Sequence, residues 1–99
     1  MIDDYASGSW NVTPGSEEEF VKRWTEFISW SRSEFPAMTR ASLLRDSQVP
    51  GHFISFAEWS EAGQRAAWKQ SAGFQQRFSA CRALCDTMSG SDYLRVVTV

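Results

Sequence analysis

The sequence is poor in the residues from which the commonest chemical devices are built. It has one histidine and two cysteines in 99 residues. Cys81 and Cys85 stand four apart, which is neither the spacing of a redox pair nor that of a metal set with partners nearby. No metal site is expected, and the two cysteines read as buried free thiols on one helix face. There is no excess charge of either sign: ten Lys and Arg face twelve Asp and Glu, with no basic cluster of the kind that displaces counterions from a phosphate backbone. Nucleic acid is not an expected partner. No apolar run nears the roughly 20 residues that span a bilayer, and the opening "MIDDYASGSW" is acidic, without the basic start and apolar stretch of a signal peptide. A cytoplasmic protein with no membrane partner is expected. Internal repeats and low-complexity tracts are missing too. The length fits a single domain over residues 1–99, short enough that its core gains from an oligomeric interface.

Large flat apolar groups, by contrast, are plentiful: five tryptophans and seven phenylalanines. Residues 5–12 read as a strand, in which Gly8 marks a bulge or a close approach. Pro14-Gly15 ends it. Ser16 and Glu19 form a capping-box pattern, and Glu17, Glu18 and Glu19 place negative charge where the helix dipole favours it. In the helix that follows, Phe20, Trp24, Phe27 and Ile28 make one apolar stripe, with Lys22, Arg23 and Glu26 on the wet side. Pro36 stops this helix near Ser33 or Glu34.

Residues 38–46 and 52–59 read as a hairpin joined by "SQVPG". In its second strand Phe53, Ser55, Ala57 and Trp59 point one way, and His52, Ile54, Phe56 and Glu58 the other. Both faces carry apolar groups and both need covering, although the chain has helices for only one. A homodimer through the open sheet face follows. Ser60 is the expected cap of a second helix ending near Trp68, "SAGF" breaks it, and Phe74, Phe78, Cys81 and Cys85 form the stripe of the continuation. "MSGSDYLRVVTV" reads as a polar turn and then a strand. The order is ferredoxin-like βαββαβ, an α+β fold with an antiparallel sheet and its second helix broken in two.

"VTPGSEEEFVKRW", "LLRDSQVPGHFISFAEWSEAGQRAAWKQSAGFQQRF" and the β-rich tail together resemble the antibiotic biosynthesis monooxygenase (ABM) family of dimeric α+β barrels over nearly the whole chain. The landmarks are Pro14-Gly15, Arg45-Asp46, Glu58-Trp59 and the run from Trp68 through Ser71 to Phe74. The resemblance implies a homodimer with a cleft between helices and sheet in each subunit. It leaves the activity open, because members include cofactor-free oxygenases of phenols and quinols, haem-degrading enzymes and proteins of unproven role. Haem-degrading members use an Asn, a Trp and a haem-ligating His where this chain has Gly8, Trp68 and Phe78, and its one histidine, His52, opens the third strand. That chemistry is not expected. Members that oxygenate anthrone-like phenols carry a Trp, an Asn and a Tyr where this chain has Trp59, Ser55 and Arg65, so the Trp matches and the polar groups do not.

Oxygenation without a cofactor relies on a substrate that itself reduces oxygen once deprotonated and held out of water. The protein supplies an apolar slot and a polar group that favours the phenolate. Trp24, Trp59, Trp68, Phe74 and Phe78 are the candidate walls. Ser55, Arg65, Asn11, His52 and Glu58 are the polar candidates, with Ser55 as hydrogen-bond donor and Arg65 as phenolate partner. Each also has a plain structural role: the helix-stripe rings as core, His52 as a solvated or interface residue, Arg65 as a surface charge, Asn11 as a turn contact and Glu58 as half of an ion pair. Three functions stay in view. They are a cofactor-independent monooxygenase of a phenolic, quinol or polycyclic aromatic molecule, a non-catalytic or cyclase-like aromatic-binding module, and a dimerisation unit without a pocket.

Overall fold

Alternating side chains and well-placed breakers give the chain its architecture. The computed structural model describes residues 4–99, so the first three residues of the acidic opening lie outside it. The elements run β1 (Asp4–Val12), α1 (Glu17–Glu34), β2 (Met38–Arg45), β3 (His52–Trp59), α2 (Ala62–Gln70), α3 (Ala72–Arg82) and β4 (Cys85–Leu94). The four strands form one antiparallel sheet in the order β2-β3-β1-β4, which is the ferredoxin-like arrangement with helices on one face.

Ala6, Trp10 and Val12 of β1 alternate inward with Phe53, Ala57 and Trp59 of β3, and with Phe20, Phe27 and Ile28 of α1 they build the core. Gly15 and Gly51, at the ends of β1 and of the hairpin loop, have φ of +94° and +84°, a region that an L side chain enters only at a cost. Phe20 and Phe53 meet at 5.2 Å between ring centroids, and Phe20 also touches Trp10 at 5.3 Å. The opposite face carries Ile54, Phe56 and Leu44, of which Phe56 is 38% and Leu44 55% exposed.

Several local expectations are corrected. The capping box is not made: the Ser16 side chain caps nothing, and the Glu17 carboxylate accepts the Gly15 N–H at 2.8 Å instead. Ser60 does not cap α2. Glu61 holds that position, and the Ser60 backbone N–H and hydroxyl both go to the Ala37 carbonyl. Cys85 is not on the helix with Cys81; α3 ends at Arg82 and Cys85 opens β4, its thiol near the Cys81 carbonyl. The "MSGSD" segment is not a turn but the body of β4, where Ser89 pairs with Ser9 and Gly90 with Gly8, while residues 95–99 have no regular structure. The two buried cysteines are free, and burial pushes the Cys81 thiol up to about 12 and raises that of Cys85. At that value the Cys81 thiol stays protonated and is not nucleophilic near neutral pH.

Candidate functional site

A cleft of about 270 Å³ opens between the helices and the β1–β3–β4 part of the sheet. Rings make much of its wall: Trp24 and Phe27 from α1, Trp68 from α2, Phe74 and Phe78 from α3, and Trp10 from β1. These rings brace one another. Trp68 stacks on Phe27 at 5.7 Å and 10°, Phe74 stands edge-on to Trp68 at 4.7 Å and 80°, and Phe78 stacks on Phe74 at 5.2 Å and 10°. Offset and edge-on contacts of this kind are the favoured arrangements of aromatic quadrupoles.

Trp68 is fixed at both ends. Its indole N–H donates to the Ser31 hydroxyl at 2.8 Å, and that hydroxyl in turn donates to the Phe27 carbonyl at 2.7 Å. Behind it, Ser71 receives the Phe74 N–H at 3.1 Å and returns its hydroxyl to the Trp68 carbonyl at 2.8 Å. The helix break is therefore what turns Trp68 and Phe74 toward the same space.

The sequence candidates separate sharply. Trp24, Trp68, Phe74, Phe78 and Ser55 line the cleft. Trp59 does not: it is 1% exposed and packs behind Trp68 at 5.1 Å. Arg65 is also elsewhere, donating to Asp4 at 2.6 Å with Asp92 at 3.8 Å. Asn11 donates to Thr87 on the exposed face of the sheet. Glu58 receives the Tyr5 hydroxyl at 3.2 Å and lies 3.6 Å from Arg95. Lys69, which the sequence reading passed over, lines the cleft and holds Asp92 at 2.6 Å.

His52 belongs to a relay on the open face. Its Nδ1 lies 2.9 Å from Asp46 Oδ2 and its Nε2 3.0 Å from the Ser9 hydroxyl. A carboxylate only accepts, so Nδ1 carries a proton toward Asp46; in the neutral ring Nε2 accepts from the Ser9 hydroxyl, and in the charged ring it donates to it. Asp46 also takes the N–H groups of Gln48 and Val49, and the His52 contact first, then these two, hold its carboxyl below the usual range. The arrangement has the shape of a nucleophilic triad, but Ser9 sits in a central strand paired on both sides. Its neighbouring amides are committed to the ladder and make no oxyanion hole. The relay ties the hairpin loop to β1.

Inside the cleft, Ser55 supplies the one deeply buried hydroxyl, 8% exposed, and accepts the Trp10 indole N–H at 3.0 Å. Gly8 makes this possible: a Cβ there would lie 2.6 Å from Trp10 Nε1 and 3.0 Å from Ser55 Oγ. Its expected role as a close approach is met by these side chains. The ladder irregularity in β1 falls at Asn11–Val12 instead. Among the described residues no group of three or more His, Cys, Asp or Glu is placed to hold a metal ion.

The profile of the antibiotic biosynthesis monooxygenase family matches residues 5–79. The chain belongs to that family. Among solved structures, SnoaB, a cofactor-independent oxygenase from Streptomyces nogalater, superposes with a TM-score of 0.88 at 19% identity, covering 100% of this chain and 98% of the other. A proposed antibiotic biosynthesis monooxygenase from Caulobacter crescentus CB15 gives 0.85 at 12% identity over 97% and 92% of the two chains. A conserved protein from Methanosarcina mazei Go1 gives 0.82 at 16% over 94% and 92%. At these identities the likeness carries the fold. No curated protein matches the sequence. The ABM fold is thus common to this chain and its relatives, and no helix among the described residues is long and apolar enough to cross a membrane.

Proposed function

We propose that this ABM-family protein is a cofactor-independent monooxygenase of a phenolic or quinol-type planar aromatic molecule, working as a homodimer joined through its open sheet face. The observation that carries the reading is a ring-walled cleft with a single deeply buried hydroxyl, Ser55. A flat ligand slides between Trp24, Trp68, Phe74 and Phe78 and leaves water behind. Its oxygen meets the Ser55 hydroxyl, which favours the phenolate, the form that gives an electron to oxygen. One oxygen atom then bonds to a ring carbon and becomes a quinone carbonyl, while the other leaves as water with the two hydrogens the substrate loses, so the substrate itself supplies all four electrons. SnoaB, a cofactor-independent oxygenase whose fold this chain shares, supports this reading.

A second reading has its own observation. Among the described residues Lys69 is the one ionisable side chain in the cleft lining, and it is engaged with Asp92; Arg65, the expected phenolate partner, is tied to Asp4 outside the cleft. A cleft so short of proton acceptors suits an aromatic-binding or cyclase-like module as well.

Oxygen uptake by metal-stripped protein across hydroquinones, naphthols and anthrones, with tryptophan emission followed alongside, separates the two. Uptake is expected, with Trp68→Phe and Ser55→Ala each slowing it about tenfold or more. Quenching without uptake for every substrate establishes the binding module instead.

A further inference from the structure

The Trp10–Ser55 pair fixes a direction as well as a position. A serine hydroxyl carries one proton and accepting lone pairs, and it rotates to suit its surroundings. Here the rotation is constrained from one side. The indole N–H of Trp10, a donor with no accepting capacity, points at Ser55 Oγ from 3.0 Å, and both residues are more than nine-tenths buried. The Ser55 proton cannot lie along that line. It donates to no group among the described residues, and the hydroxyl lines the cleft. An oxygen that accepts one hydrogen bond is also polarised into a stronger donor of the next. Gly8 completes the device, since a side chain there would occupy the space in which the indole reaches Ser55.

We propose that Trp10 is a positioning residue that turns Ser55 into a dedicated hydrogen-bond donor, so that the cleft recognises an oxygen acceptor, a phenolate or a ring carbonyl, in preference to a neutral phenol. This rests on the reading of the cleft as an aromatic-ligand site and assigns the polarity of its inner end. Neither residue exchanges a proton with the ligand. A phenol that binds as its anion releases its proton to the buffer, and Ser55 holds the oxygen that remains.

The probe is 4-nitrophenol, whose anion absorbs separately from its neutral form, so the pKa of the bound molecule is read directly by titrating the complex. Desolvation in the cleft acts alike in the wild type and in near-isosteric variants, and the comparison between them isolates the hydrogen bond. Ser55→Ala is expected to raise the bound pKa by about one unit, because a hydrogen bond to a charged acceptor exceeds one to a neutral acceptor by roughly that much. Trp10→Phe keeps a ring in the core but removes the N–H; it is expected to raise the bound pKa by about half a unit while Ser55 remains in place. Gly8→Ala, which drives the indole off Ser55, is expected to do the same, and circular dichroism verifies that each variant is folded. A folded Trp10→Phe or Gly8→Ala protein with an unchanged bound pKa overturns the positioning role, whatever Ser55→Ala does, and leaves the cleft reading standing. Failure of the wild type to bind 4-nitrophenol, or any larger naphthol used in its place, overturns the cleft reading and the proposal with it.

Discussion

Asp46 shows how much one side chain can organise at a bend in the chain. Its two oxygens serve three donors, the His52 ring and the amides of Gln48 and Val49. A carboxylate that accepts several N–H groups prefers its charged form, which is why its pKa is lowered in the folded chain. Because the folded value lies below the unfolded one, near 3.9, the contribution is complete above that value and is lost as the pH falls through the folded one. Acid below about pH 4 is therefore expected to loosen the hairpin loop before the sheet. Amide resonances of Gln48 and Val49, followed by NMR, should titrate with a midpoint below the ordinary aspartate range, and Asp46→Asn should remove that titration. A midpoint at or above the ordinary range would contradict the three-donor geometry.

At the scale of elements, the break between α2 and α3 does most to shape the cleft. Ser71 caps α3 and ties back to Trp68, and Gly73 lets α3 close on α1: a Cβ there would fall 2.2 Å from the Trp30 ring, which Arg77 covers from 4.3 Å. Ser71→Ala is expected to cost about 1 kcal/mol through the lost cap. Gly73→Ala is expected to cost more, about 1–3 kcal/mol, because a packed indole must move. For a domain of this size the first lowers the melting temperature by about 4–8 °C, and calorimetry that ranked the two in reverse would refute the Gly73–Trp30 contact. Legibility from sequence followed the same division. The hairpin, the Pro36 stop and the bounds of β3 were readable because breakers and alternation are local signals. β4 was not: its Ser–Gly stretch is poor in strand-formers, and only pairing with β1 makes it a strand. Helical period could name the rings at the cleft but could not separate the wall from the layer behind it. Trp59 alternates correctly into the core and ends up screened by Trp68. Nor could any local pattern reveal Trp10 and Ser55 as partners, since they stand 45 residues apart and meet only when β1 and β3 pair.

For the whole molecule the unresolved demand is the second face of the sheet. Leu44, Ile54 and Phe56 lie on it, next to the hydroxyl-rich stretch of Ser7, Ser9, Ser89 and Ser91. One sheet face cannot satisfy this surface alone, because apolar side chains left in water forgo roughly 25 cal/mol per Å² of burial. Two copies facing each other would bury it at the spacing of packed sheets, about 10 Å. In such a pair the small serines would allow the close approach, and Leu44 and Phe56 would supply the anchors. Leu44 is the better probe of the pair, since it stands more than half exposed and contributes little to the core of its own chain. Sedimentation of the wild type should give twice the chain mass, and Leu44→Glu, which sets two carboxylates against an apolar partner face, should give a folded monomer with unchanged far-ultraviolet circular dichroism. A wild type that sediments as a monomer at micromolar concentration would leave the open face without its partner and remove the homodimer from the proposed function, while the cleft, built wholly from one chain, would keep its ring walls and its buried Ser55 hydroxyl.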